Sequence, residues 1–134
     1  MSDEAFKQHG AVSWVELTTT DVEAAKRFYG QLFDWQMENM QIQEGMPPYT
    51  VIGAGEMKIG GIMATPPETG DAPPHWGSYV TVDDVDAVAS KVAELGGKVL
   101  FGPQDIPTVG RFCMIQDPQG AVISAITYVP CEDS

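Results

Sequence analysis

The sequence predicts an α+β fold built from two tandem β-α-β-β-β modules that form a curved, open barrel. Three observations carry that expectation. The chain has 134 residues, 43% of them apolar and 19% charged, which suits one domain with a core and is short for two. An ungapped shift of 63 residues lays one half on the other. Leu17-Thr18 falls on Val80-Thr81, Asp21-Val22-Glu23-Ala24 on Asp84-Val85-Asp86-Ala87, Leu32 on Leu95, and Tyr49 and Ile52 on Phe112 and Ile115. Within each half an alternating strand precedes a helical spacing, and short strands follow.

The elements follow in order. Trp14 to Thr19 alternates, with Val15 and Leu17 on one face and Trp14, Glu16 and Thr18 on the other. Thr20 or Asp21 can cap the helix behind it, with Glu23 in the first turn. Val22, Ala25, Tyr29 and Leu32 then mark one helical face. Strands are expected near Trp35–Gln41, Tyr49–Gly53 and Met57–Met63. The second half repeats this plan. Gly77 to Val82 forms its first strand, and Ser78, Val80 and Val82 lie opposite Gly77, Tyr79 and Thr81. Asp83 or Asp84 caps a helix whose stripe is Val85, Val88, Val92 and Leu95, and Gly96-Gly97 ends it. Strands near Lys98–Phe101, Arg111–Gln116 and Ala121–Tyr128 complete the module, the last two joined by the turn Asp117-Pro118-Gln119-Gly120. The single domain 1–134 therefore holds module 1 at about 10–63, a Pro-, Gly- and Thr-rich linker at about 64–74, and module 2 at about 75–128.

Charge narrows the partners. Seven Lys+Arg against 19 Asp+Glu give a formal charge of −12, which argues against nucleic acid and against anionic membranes. No apolar run has the length of a membrane span, and the polar start lacks a signal-peptide core, so a cytoplasmic protein is expected. Cys113 lies in an apolar run and reads as a core residue, whereas Cys131, beyond Pro130, reads as an exposed thiol. Phosphate-loop, dinucleotide and serine-hydrolase signatures are absent.

One module leaves one sheet face open. Two such sheets facing each other enclose a cavity, with the helices outside. Val15 and Leu17 then point to the first helix, and Trp14, Glu16 and Thr18 to the cavity.

This duplication, with Asp21, Phe28-Tyr29 and Asp117-Pro118-Gln119-Gly120 in that order, resembles the vicinal oxygen chelate superfamily. That group includes glyoxalase I, bleomycin resistance proteins, fosfomycin resistance enzymes and extradiol dioxygenases. The resemblance covers roughly residues 10 to 128 and implies a homodimer. It also implies four metal-ligand positions on the first and last strands of the modules, filled by His, Gln or Glu in the metal enzymes. Counting from the shared motifs places them at Trp14, Gly61 (or Gly60 with a one-residue loop difference), Gly77 and Ser124. An indole N–H offers no lone pair, glycine has no side chain, and serine alone is a weak ligand. The expectation is therefore no metal and no other cofactor.

The remaining candidates keep two readings each. His75 and Glu16 face the cavity as acid, base or displaced metal ligands, or are a loop histidine and a solvated carboxylate. Glu16 within a strand needs either a partner such as Arg111 or a polar pocket. Trp14, Trp76 and Tyr79 suit a planar or cationic ligand, or Trp14 plugs the cavity. Trp35 is core or interface, the methionines are core, and His9 is inert. The leading function is a metal-free protein that binds a small, cationic or aromatic ligand through Trp14, Glu16, Trp76, Tyr79 and Ser124. The alternatives are a lyase, isomerase or dioxygenase-type enzyme on a small carbonyl compound, using His75 and Glu16, and an interaction module with a filled cavity.

Overall fold

Asp21 and Asp84 decide where the two helices begin. The Asp21 carboxylate accepts the Ala24 N–H at 3.0 Å, and Asp84 accepts those of Asp86 and Ala87 at 3.0 and 3.3 Å. Each satisfies N–H groups that the first helical turn leaves without a backbone partner. The computed structural model describes residues 7–41, 49–65, 73–106 and 109–129. Cys131 and residues 66–72 of the expected linker lie outside them. The chain divides into two units, residues 14–77 and residues 2–13 with 78–134. The cut is not simply sequential, because Val12 and Ser13 of the first strand group with the second unit.

The first unit holds β1 (Val12–Thr19, from Trp14 onward), α1 (Val22–Phe33), β2 (Gln36–Met40), β3 (Tyr49–Ala54) and β4 (Met57–Ala64). Its strands run in the order β2-β3-β4-β1. β1 lies parallel to β4, and the other pairs are antiparallel. Leu17, Ile52 and Ile62 are buried under α1, joined by Val22, Ala25, Tyr29, Trp35, Met37 and Ile59. Leu32 departs from the expected stripe and is 56% exposed. At about 100° per residue it sits roughly 50° off the mean direction of Val22, Ala25 and Tyr29, and it falls in the last turn. Met40 and Met57 are also exposed rather than core.

The second unit holds β5 (His75–Thr81, from Ser78), α2 (Val85–Val92), a 3-10 turn (Ala93–Leu95), β6 (Lys98–Ile106), β7 (Gly110–Gln116) and β8 (Val122–Tyr128). Its order is β5-β8-β7-β6, with β5 parallel to β8. Val82, Val85, Cys113 and Ala125 form the core, with Val80, Val88, Ala89 and Ile115 against it. Cys113 is fully buried, as its apolar run predicts. The Thr127 hydroxyl accepts the Val85 N–H and donates to the Val82 carbonyl, both at 2.9 Å, tying the start of α2 to β8. Leu95 leaves the stripe because the 3-10 turn winds more tightly than an α-helix. Gly96 follows with φ +94°, a left-handed cap suited to glycine.

β6 runs past the expected end at Phe101. It continues through Gly102-Pro103, which an edge strand tolerates, and two register shifts against β7 accompany the pair. The start of the chain is also more engaged than its sequence suggests. Gly10 N–H donates to Thr81 O at 2.7 Å, and Thr81 N–H to Ala11 O at 2.8 Å. His9, expected to be inert, accepts the Asp83 N–H through Nδ1 at 2.9 Å.

Candidate functional site

In the first unit, strand alternation sends Leu17, Ile52 and Ile62 to the helix and their neighbours to the opposite face. Pairing registers align one row across that face, opposite α1: Glu38 beside Val51, Val51 beside Gly61, and Gly61 beside Glu16. Trp14 lies one step along β1 on the same side, and Tyr49 one step along β3. Gly61 makes their meeting possible. A Cβ placed on Gly61 would collide with the Tyr49 hydroxyl and ring, so the phenol lies across β4 where a side chain would stand. The Trp14 indole N–H donates to the Tyr49 oxygen at 3.0 Å, and the Tyr49 hydroxyl donates to Glu16 Oε2 at 2.8 Å. All three residues are half-buried. The result is a directed relay ending on a carboxylate, with two aromatic rings beside it. A shallow depression lined by Gln36, Glu38, Val51, Gly53, Met57 and Lys58 extends this face toward β2.

The second unit keeps the geometry and changes the chemistry. Shifted by 63 residues, Glu16 becomes Tyr79, Tyr49 becomes Phe112, and Gly61 becomes Ser124. Tyr79 is the register partner of Ser124, as Glu16 is of Gly61. Tyr79 and Phe112 approach to 6.1 Å between ring centroids, and Phe101 to Phe112 to 5.7 Å. A hydroxyl chain runs nearby: Thr81 donates to the buried Ser13 at 2.8 Å, and Ser13 meets the Tyr128 hydroxyl at 2.9 Å. Burial pushes the Tyr128 phenol above its ordinary value, and its bond to Ser13 offsets part of that.

The other candidates are placed elsewhere. His75 is exposed, and its Nδ1 meets Pro73 O at 2.8 Å; Glu16 is not its partner. Trp76 packs against Tyr29 and Trp35, at 5.3 and 6.2 Å, and donates to the Tyr29 hydroxyl at 3.2 Å. It belongs to an aromatic cluster on the α1 side, not beside Trp14. Strand parity explains this, since Trp76 alternates with His75 and Gly77. Arg111, the expected partner of Glu16, pairs with carboxylates of its own unit. Its guanidinium binds Asp86 at 2.9 and 3.1 Å and Asp105 at 3.1 Å. Asp86 lies below the usual carboxylate range chiefly because of the Arg111 hydrogen bonds, and those to Asp86 and Asp105 raise Arg111.

Comparison with known proteins decides the family. The model of the Glyoxalase/Bleomycin resistance protein/Dioxygenase superfamily matches residues 11–124. The chain belongs to that superfamily. A putative glyoxylase, CFP32, of Mycobacterium tuberculosis is 42% identical over 121 residues, covering 90% of this chain and 45% of the relative. The anthracycline biosynthesis protein DnrV of Streptomyces peucetius is 34% identical over 121 residues, covering 87% and 41%. The chain thus spans less than half the length of these curated relatives. Among solved structures, methylmalonyl-CoA epimerase of Mycobacterium tuberculosis superimposes with a TM-score of 0.63 at 15% identity, covering 90% of this chain and 89% of that one. At that identity the likeness is one of fold.

The metal positions implied for the superfamily do not fit a metal here. At Trp14 the group offered is an N–H, already donated to Tyr49. At Gly61 the side-chain space is taken by the Tyr49 ring. Gly77 supplies nothing, and Ser124 a single neutral hydroxyl. Among the described residues, no group of three or more His, Cys, Asp or Glu converges.

Tyr49 is the functional candidate the sequence reading missed. Its partners are 33 and 35 residues away in the chain. One signal was available: a strand-interior glycine often marks close approach by another group.

Proposed function

We propose that this chain binds a small organic cation, or a planar aromatic carrying a positive charge, on the face of its first unit opposite α1, without using a metal. One observation supports the reading most. Tyr49 gives its hydroxyl to Glu16 and receives the Trp14 indole N–H, so a fixed carboxylate stands against two aromatic rings. A cation placed there meets a charge and a π-face together, a pairing worth more when partly desolvated. The formal charge of −12 favours approach of such a ligand. The homodimer expected from the resemblance belongs to this proposal, and equilibrium sedimentation would then return twice the chain mass of 14.5 kDa.

The test is a thermal-shift screen with EDTA present, using small organic ammonium compounds, neutral aromatics and carboxylates. Cations should raise the melting temperature with concentration, following the mass-action stabilisation of a ligand that binds only the native state. Stabilisation by carboxylates but not by cations would overturn the reading.

The Tyr49–Glu16 contact also supports a second reading, proton transfer on a small carbonyl compound with Glu16 as the base. The relatives named glyoxylase favour it. Exchange of an α-proton for deuterium in D2O, lost in Glu16→Gln, is its expected sign. No exchange above the uncatalysed rate would remove it.

A further inference from the structure

We propose that Tyr49 takes the place of the metal ligand at position 61, turning a coordination position into a hydrogen-bond relay, and that residue 61 is glycine in order to admit it. Three observations meet here. The resemblance implies ligand positions in this unit at Trp14 and at Gly61 or Gly60, and Trp14 and Gly61 both meet Tyr49. A side chain at 61 and the Tyr49 ring exclude each other, since a single Cβ already collides with the phenol. The phenol also joins what remains of the site, accepting from Trp14 and donating to Glu16. Metal ligands present lone pairs toward one point, whereas here every polar hydrogen runs in one direction, from the indole through the phenol to the carboxylate. Such a relay orients Glu16 as coordination would orient a ligand, but it supplies hydrogen-bond donors where an ion would supply positive charge. Tyr49 is thus a positioning residue for Glu16. The inference concerns the protein without ligand, so it can fail while the proposed ligand class stands, and the reverse.

The chain has three tryptophans, so its indole N–H signals form a small, resolvable set by proton–nitrogen NMR. Tyr49→Phe removes the acceptor of Trp14 alone. The Trp14 signal should shift and its N–H exchange should speed up on the order of threefold to tenfold, the equivalent of one hydrogen bond. The Trp35 and Trp76 signals should hold. Gly61→Ala should move the same Trp14 signal, because it displaces the same ring. Manganese(II) added stoichiometrically to the native protein should not selectively broaden Trp14. An unmoved Trp14 signal in Tyr49→Phe, or in a folded Gly61→Ala, overturns the proposal, and so does selective broadening of Trp14 by manganese. If Gly61→Ala does not fold, Tyr49→Phe and the manganese titration decide the matter.

Discussion

Gly61→Ala should be costly only while Tyr49 is present. The added methyl meets the Tyr49 ring and hydroxyl, and β4 lies between β3 and β1 with little freedom to withdraw. Two responses are open. The strand can accept the overpacking, at about 1–3 kcal/mol. Alternatively, the ring swings out and loses a neutral hydrogen bond from Trp14 and a charge-assisted one to Glu16, worth about 1 and about 2 kcal/mol. The second route sums to about 3 kcal/mol, so the cost should be about 1–3 kcal/mol. At roughly 4 °C per kcal/mol for a chain of this size, the melting temperature should fall by about 4–12 °C. In a Tyr49→Ala background the same substitution should cost under about 0.5 kcal/mol, since alanine is no worse than glycine in a strand once the space is open. The assay is urea unfolding of native protein, both single variants and the double variant, with the coupling energy taken from the cycle. Equal cost of Gly61→Ala in both backgrounds would refute the packing argument, because residues that do not touch give additive effects.

Other consequences follow from the same structure. Asp86→Asn should destabilise the protein at neutral pH and have little effect in acid. Arg111 holds the folded Asp86 carboxyl below its unfolded value, so its contribution is present above about pH 4 and fades as pH falls through the lower folded value. Melting curves from pH 2 to 8, with and without added salt, would show this; a pH-independent deficit would count against it. Thr127→Val removes the hydroxyl that serves both Val85 N–H and Val82 O, and should cost about 1–3 kcal/mol by chemical denaturation; a cost near zero would show that another group takes over. Burial raises the Cys113 thiol, so a Cys131→Ser variant should react with a thiol reagent at pH 8 only after unfolding. Rapid labelling of the folded variant would contradict the burial.

The readable parts of the fold were those written in local spacing. Alternation along Trp14–Thr19 puts Leu17 under α1 and Glu16 on the opposite face, and the two aspartate caps fix the helix starts within a residue. The same parity argument places Trp76 opposite His75 and Gly77, so its distance from Trp14 was legible, although the aromatic grouping obscured it. Leu32 and Leu95 followed the spacing rule and still emerged exposed, because helix ends unwind or outrun the sheet. Tyr49 was not legible from its own neighbourhood. Its role depends on β3, β4 and β1 lying side by side, a long-range pairing that no local pattern states. Arg111 had carboxylates available on its own unit, and Asp86 and Asp105 are nearer to it along the chain than Glu16.

The most direct test of ligand capture by Glu16 is calorimetric titration of a stabilising organic cation into native protein and Glu16→Gln, both in EDTA. Native protein should bind and Glu16→Gln should bind at least tenfold more weakly, the loss of about 1.4 kcal/mol expected when a charged partner becomes neutral. Equal affinity in the two proteins, or binding that needs an added divalent metal, would contradict a metal-free site built on that carboxylate.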